Sequence, residues 1–374
     1  MKFSAERTTL LKALAHIQSV AEKRNTIPIL ANVLINAVDG QLSLKATDME
    51  IEAVEVIPAT ISREGATTVP ASVLYEIVRK LPDNEQVELD QASGDTPLQL
   101  RAGRFATRLN ALSVDDFPSM GAGDLPCRFK IATAVLRSLI DRTRFAISTE
   151  ETRYYLNGIF FHATEHEGLR LLRAVATDGH RLARVETALP AGADTMPGII
   201  VPRKTIAELR KLLDAAPTEI DIALSETRVQ FVAGAVTLTS KLIDGTFPEY
   251  DRVIPRNNTR ILRVGKKDFA DAVARVAAIS QERSRPVKLA LEPGLLTLSA
   301  SSPEQGVAKE ELDDNRISFD AEPLEIGFQA RYLNDITDQV EKDVEFAFSD
   351  SSAPTIVRDV DSPSALYVLM PMRV

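Results

Sequence analysis

Residues 200–209 read Ile200-Val201-Pro202-Arg203-Lys204-Thr205-Ile206-Ala207-Glu208-Leu209, a short apolar run that passes into helix-spaced apolar residues. The reading is a strand leading straight into a helix. The same pattern stands at Thr68-Val69-Pro70-Ala71-Ser72-Val73-Leu74-Tyr75-Glu76-Ile77 and at Gly327-Phe328-Gln329-Ala330-Arg331-Tyr332-Leu333-Asn334-Asp335-Ile336. Val201 follows Val69 by 132 residues, and Phe328 follows Val201 by 127. An earlier strand-to-helix pattern recurs around Phe3, Phe129 and Leu262, at separations of 126 and 133. Two independent anchors with nearly one period mean that the chain is built three times. The expected domains are residues 1–122, 123–256 and 257–374.

Outward from these anchors the pattern changes to period two. Val87-Glu88-Leu89-Asp90, Ile220-Asp221-Ile222-Ala223-Leu224 and Val344-Glu345-Phe346-Ala347-Phe348 alternate, and each is followed by a turn signal. Val33-Leu34-Ile35 and Leu42-Ser43-Leu44 flank Asp39-Gly40 in the same way. These are antiparallel hairpins. Each domain is therefore expected to be α+β, with two helices and about eight strands in two similar strand–helix–strands halves. Helices should cover one side and sheets the other.

Composition narrows the function. With 44% hydrophobic and 26% charged residues, the 374-residue chain is globular rather than disordered. Its single cysteine, Cys127, excludes an internal disulfide framework and any paired-cysteine metal or redox site. No apolar run reaches membrane-spanning length. The charged opening, Met1-Lys2-Phe3-Ser4-Ala5-Glu6-Arg7, disfavours export, so a cytoplasmic protein is expected. Tryptophan is absent and aromatics make up 5%, which gives little support to a stacking groove for single strands.

The net charge of −9 hides an uneven distribution. The six expected helices, residues 6–24, 72–80, 134–144, 203–213, 266–275 and 330–342, carry 18 Lys and Arg against 10 Asp and Glu. If these helices share a surface, it is basic and the remainder acidic.

Catalytic signatures are missing. No Gly-rich phosphate loop, HExxH or GxSxG occurs. His162 and His166 have helical metal-ligand spacing, but their surroundings read as a hairpin, so a solvated turn is expected there and no metal site. Asp178 and His180 could suggest acid–base chemistry, yet a turn beside a strand explains them without a nucleophile. The apolar end, Leu366-Tyr367-Val368-Leu369-Met370-Pro371-Met372-Arg373-Val374, reads as a docked final strand or part of an adaptable methionine-rich groove.

Ordered motifs along the whole length resemble one family. They are Ile27-Pro28-Ile29-Leu30-Ala31-Asn32, Ala46-Thr47-Asp48-Met49-Glu50, Arg153-Tyr154-Tyr155-Leu156-Asn157-Gly158, Ala176-Thr177-Asp178-Gly179-His180-Arg181-Leu182, Ile200-Val201-Pro202-Arg203-Lys204, Asp244-Gly245-Thr246-Phe247-Pro248-Glu249-Tyr250 and Tyr367-Val368-Leu369-Met370-Pro371-Met372-Arg373. The chain thereby resembles the bacterial β sliding clamps, the processivity subunits of DNA polymerase III. That resemblance implies a head-to-tail homodimeric ring of six domains around double-stranded DNA, as on a primed template. It implies no enzymatic activity and no cofactor. The expected partners are the polymerase III catalytic subunit, the clamp loader, and other polymerases and repair proteins carrying clamp-binding motifs.

Carried over residue by residue, the family's DNA contacts fall on Arg24, Tyr154, Tyr155, Arg203 and Lys204. Val73 and Glu150 also stand at such positions, and neither can neutralise a phosphate. The peptide groove, which accepts segments resembling Gln-Leu-x-Leu-Phe, falls on Leu156, Thr177, Gly179, His180, Arg181 and Leu182 in the second domain. It continues through Pro248, Arg252 and Val253, then Val368, Met370, Pro371, Met372 and Arg373. The dimer contact falls on Thr107 and Leu109 against Ala278 and Ile279, Thr107 standing where a bulkier apolar residue is expected.

Overall fold

The computed structural model describes residues 1–374 except 23–25, 94–95, 122, 280–285 and 374. Among the described residues, each repeat supplies two helices: α1 (Arg7–Ile17) and α2 (Ala71–Lys80), α3 (Thr133–Asp141) and α4 (Arg203–Leu212), α5 (Lys266–Ala277) and α6 (Ala330–Thr337). Every one of them starts directly after a strand, as the repeated pattern predicts. At the first such joint the Glu6 carboxylate accepts the amides of Thr8 at 2.9 Å and Thr9 at 2.7 Å, satisfying donors that the first turn leaves open.

The first and last helices stop furthest short of their sequence patterns. The first ends at Ile17, well before Arg24, because fully buried Val20 turns into the core and the Val20 amide bonds back to Ile17. The last ends at Thr337, whose hydroxyl occupies the carbonyls of Leu333 and Asn334.

The chain divides into two compact units, Met1–Arg137 with Pro190–Pro197 and Lys204–Leu242, and Ser138–Leu189 with Gly198–Arg203 and Ile243–Val374. The first unit holds a five-stranded sheet ordered Thr60–Arg63, Lys2–Glu6, Gln86–Asp90, Leu98–Ala102, Phe105–Leu109. It also holds an eight-stranded sheet in which Val236–Lys241 of the second repeat pairs with Ile51–Pro58 of the first, Ser240 opposite Ile51. The second unit holds a nine-stranded sheet in which Ser362–Leu369 of the third repeat pairs with Arg181–Ala188 of the second, Leu369 opposite Arg181. Its four-stranded sheet ends on Gly306–Asp313.

Alternating burial in the strands makes the cores. Val87, Leu89, Leu98 and Leu100 are fully buried in one sheet, as are Val344, Phe346 and Phe348 in another. The helices bury one stripe each, for α2 Ala71, Leu74 and Val78. Two-residue turns close the hairpins at Asp39-Gly40 (φ 52° and 72°) and Glu167-Gly168 (φ 51° and 79°), the paired positive φ that matches strand twist.

Candidate functional site

The two places where one repeat's sheet continues into the next share a backbone device. At the first, the Asp48 carboxylate accepts the amides of Glu50 and Ile51, and the Thr47 hydroxyl bridges the Met49 amide and the Ile51 carbonyl. At the second, Asp178 accepts from His180 and Arg181, and Thr177 bridges Gly179 and Arg181. The incoming strand then adds one more bond at each: Lys241 to the Glu50 carbonyl and Met370 to the His180 carbonyl, both at 2.9 Å. Asp178 is thus a turn-former with a counterpart that has no histidine beside it. Its other carboxylate oxygen receives Arg181 Nε at 3.1 Å, so no oxygen is left over for acid–base work on His180.

The side chains over these two turns differ sharply. Around the second, Leu156, Leu182, Ile200, Phe247, Tyr250, Ile356, Leu366 and Val368 form one buried cluster, with Tyr155, Ile243 and Ile254 packed at its edge. Met370 and Val253, whose amides bond to the His180 and Tyr250 carbonyls, are 40% and 53% exposed. Thr177 and Pro371 are half-buried, while Gly179, His180, Pro248 and Arg252 are exposed. The strand reading of the apolar end holds through Leu369; beyond it the Met372 amide bonds to the Gly327 carbonyl at 2.8 Å, and Arg373 is exposed. Of the predicted groove residues, Leu156, Leu182 and Val368 share the buried cluster, and Thr177, Gly179, Pro248, Arg252, Val253, Met370 and Pro371 stand close to its members along the chain and are accessible. At the first turn Glu52 pairs with Lys45 instead, and Lys241 meets Glu50 at 2.8 Å.

Arg181 departs from a rim role. Its side chain is 4% exposed, paired with Asp178 and Asp335, and its guanidinium donates to the Phe145 carbonyl. The same group lies 4.4 Å over the Tyr332 ring and 5.1 Å over Phe145. Tyr332, read in the sequence only as part of a helix, also stacks on His180 with centroids 6.2 Å apart, and burial holds its phenol above the ordinary tyrosine range. Gly179 sits at φ +87°, where a Cβ would come within 2.8 Å of Arg153 Nη1.

His162 corrects an expectation. It is not on a solvated turn: the ring is half-buried on strand Gly158–His166, stacked on Phe160 at 4.7 Å and 2.8 Å from the Tyr250 hydroxyl. Only His166, at the strand's end, is solvent-exposed as read. Among the described residues no three His, Cys, Asp or Glu side chains converge as metal ligands. Among the described residues, no helix is long and apolar enough to cross a membrane.

Of the expected DNA contacts, Arg24 lies outside the described residues. Tyr154 and Tyr155 stand on the 3-10 turn Glu151–Leu156 rather than in a strand, edge to face at 5.7 Å, with Tyr154 54% exposed. Arg203 is exposed at the start of α4; exposed Lys204 is paired with Asp48. Glu150 is paired with Arg153 at 3.2 Å. Part of the helix charge is spent internally: Arg7 on Val78, Arg79 and Asp83, and Arg142 on Ser362 and Tyr367. Lys80, Lys267, Arg275 and Arg331 are exposed but paired with Glu76, Asp271, Glu310 and Asp335, and Lys12 is exposed.

Val73, 44% exposed, shares an open groove with Ile77, Leu81, Pro82 and Phe105. Thr107 and Leu109 lie on the adjoining edge strand Phe105–Leu109, and Ala278 and Ile279 follow the end of α5.

Models of the DNA polymerase III beta subunit match this chain three times: the N-terminal domain over residues 1–121, the central domain over 130–249 and the C-terminal domain over 251–373. The beta sliding clamp of Caulobacter vibrioides is 52% identical over 375 residues, spanning 100% of both chains. The crystal structure of a sliding clamp from Bartonella birtlesii bound to griselimycin matches with a TM-score of 0.96 and 47% identity, covering 100% of each chain. That of the Pseudomonas aeruginosa clamp bound to griselimycin matches at 0.93 and 37%, again over 100% of both.

Proposed function

The chain belongs to the DNA polymerase III beta subunit family, the bacterial β sliding clamps, and from that premise we propose how its own residues do a clamp's work. It is a non-catalytic accessory subunit that tethers the replicative polymerase and other clamp-binding proteins to duplex DNA, giving processive replication. Its three domains are placed at residues 1–122, 123–256 and 257–374; the matched segments 1–121 and 130–249 favour the first boundary, while the C-terminal match begins earlier than the second, at residue 251. The cytoplasm is its place of action.

The observation that carries the ring is the fate of the sheets. Inside the chain, the last strand of the second repeat pairs with Ile51–Pro58 of the first, and the last strand of the third pairs with Arg181–Ala188 of the second. By the same rule the first repeat's last strand, Phe105–Leu109, seeks the third repeat's Gly306–Asp313, and both are sheet edges. Head-to-tail pairing between two chains joins the five-stranded and four-stranded sheets and closes after two subunits. Basic Arg104 and Arg108 at the one edge complement acidic Glu310 and Glu311 at the other, which exchange their own partners Arg275 and Lys309 on pairing. Thr107, Leu109, Ala278 and Ile279 belong to this contact. Val73 joins it through Phe105 rather than touching DNA.

Duplex DNA carries one charge per ~1.7 Å, so exposed cations attract it without reading sequence. Arg203, Tyr154, Tyr155 and Arg24 are the contacts; Lys204 reaches a phosphate by exchanging Asp48 for it, and Glu150 is silenced by Arg153. Partners insert an apolar segment over Leu156, Leu182 and Val368, between Met370 and Val253, while buried Arg181 holds the His180 turn from beneath.

The test is topological. The protein is loaded with its clamp loader and ATP onto nicked circular plasmid, washed in high salt, and the plasmid is then linearised. Retention on the circle with release from the linear form is expected. Equal retention on both forms would mean ordinary groove binding and would sink the ring.

A further inference from the structure

We propose that His162, Arg173 and Tyr250 form a positioning network for the peptide groove, fixing the segment 247–253 that supplies Pro248, Arg252 and Val253 to its rim. The inference rests on the groove reading above and extends it to residues lying behind the floor.

Tyr250 opens the 3-10 turn Tyr250–Arg252 and is 6% exposed, its ring part of the cluster that contains Leu156, Leu182 and Val368. The Tyr250 hydroxyl lies 2.8 Å from His162 Nε2 and accepts from Arg173 Nη1 at 3.4 Å. The Ala163 carbonyl beside Nδ1 can only accept, so in the neutral imidazole Nε2 is the acceptor and takes the Tyr250 hydroxyl proton. The imidazole proton then resides on Nδ1, 3.2 Å from the Ala163 carbonyl that receives it. This assignment satisfies every group. Burial, the largest influence, pushes His162 below the ordinary histidine range, and a neutral ring is what the accepting role needs.

Arg173 is itself held by Glu186 at 2.7 Å, and faces Asp251 at 3.8 Å. Asp251 also faces Arg184 at 3.8 Å. The rings close a circuit around these bonds. Phe160 stacks on His162 at 4.7 Å and on Phe247 at 4.9 Å; Phe247 meets Tyr250 edge-on at 6.5 Å, and Tyr250 lies 5.8 Å from His162. Segment 247–253 is therefore tied to strand Gly158–His166 at both Phe247 and Tyr250.

An all-apolar packing would bury the same surface without choosing one arrangement. A satisfied polar set penalises every displaced arrangement, because moving the turn strands a buried hydroxyl and a guanidinium. A rim fixed in advance loses less freedom when a peptide docks, which strengthens binding chiefly through slower release.

The experiment measures a labelled Gln-Leu-Ser-Leu-Phe peptide binding to the full-length clamp and to Tyr250→Phe, His162→Leu, the double variant and His162→Gln. Tyr250→Phe and His162→Leu should each weaken binding about fivefold through faster dissociation, the size of one lost buried hydrogen bond. The double variant should be no weaker than either single one, and His162→Gln, which restores an acceptor, should recover most of the affinity. Binding by wild type with single variants within twofold of it, or losses that multiply in the double variant, would overturn this inference alone. No binding by the wild-type clamp would overturn the groove reading and this inference with it.

Discussion

At the scale of single residues, Arg181 shows how a groove can depend on a side chain that never reaches its surface. Two carboxylates, a carbonyl and two aromatic faces surround its guanidinium. Replacing it leaves Asp178 and Asp335 without their shared cation in a largely buried setting. Arg181→Leu should cost about 3 kcal/mol, the scale for breaking a buried pair by removing one partner, and chemical denaturation would measure it. A loss below ~0.5 kcal/mol would mean that the carboxylates find water instead. The sequence reading assigned Arg181 to the groove without a depth, because a one-dimensional pattern shows neighbours along the strand but not Asp335 or Tyr332 across it. His162 failed for the same reason: its partner Tyr250 is 88 residues away. Spacing identified the hairpin, and nothing local could show that a hydroxyl waits above it.

At the scale of elements, the strand-to-helix joints were legible because each combines two local signals, and the hairpins because Asp39-Gly40 and similar pairs admit few backbones. Helix ends were less so, since a buried Val20 or a back-bonding Thr337 decides them. The start of α1 carries a titration. Bonds from the amides and hydroxyl of Thr8 and Thr9 lower the Glu6 carboxyl to about 2 from its ordinary 4.5. A folded value below the unfolded one means stability present at neutral pH and lost as pH falls through that interval. Glu6→Gln should therefore be less stable than wild type by a constant margin above about pH 5, and the margin should vanish near pH 2. Denaturation series across pH would show this; a margin independent of pH would show that the cap works equally well uncharged. The two sheet junctions make the companion lesson. They share a Thr-Asp turn and an added strand, yet Leu182 and Met370 at one correspond to Glu52 and Lys241 at the other. The backbone is repeated, and the peptide site is written only once in side chains.

At the scale of the molecule, the threefold period was visible in the sequence, whereas the pairing of its ends became readable only when the sheets were laid out. Around the two-residue turn Gly103-Arg104 the Thr107 amide faces Leu100 inside the chain, so the amides of Ala106 and Arg108 point outward. Proline has no amide to give a ladder, and Ala106→Pro in the edge strand should block pairing between chains. Sedimentation should then report a 41.0 kDa species in place of one of twice that mass. An intact dimer would place closure elsewhere than on Phe105–Leu109. The strand's outer flank has few neighbours of its own, and melting of the isolated chain should be little changed.

Those two edges also make the lone protomer an unfinished product of translation. A newly made chain carries unanswered amides and carbonyls along Phe105–Leu109 and Gly306–Asp313, and each of these edges will template whatever strand it meets first. Its safety is a matter of abundance: the more sister chains are present, the sooner each edge is capped by its proper complement, and thermal resistance should climb with concentration accordingly. Dilution, which protects most proteins from clumping, would leave this one exposed.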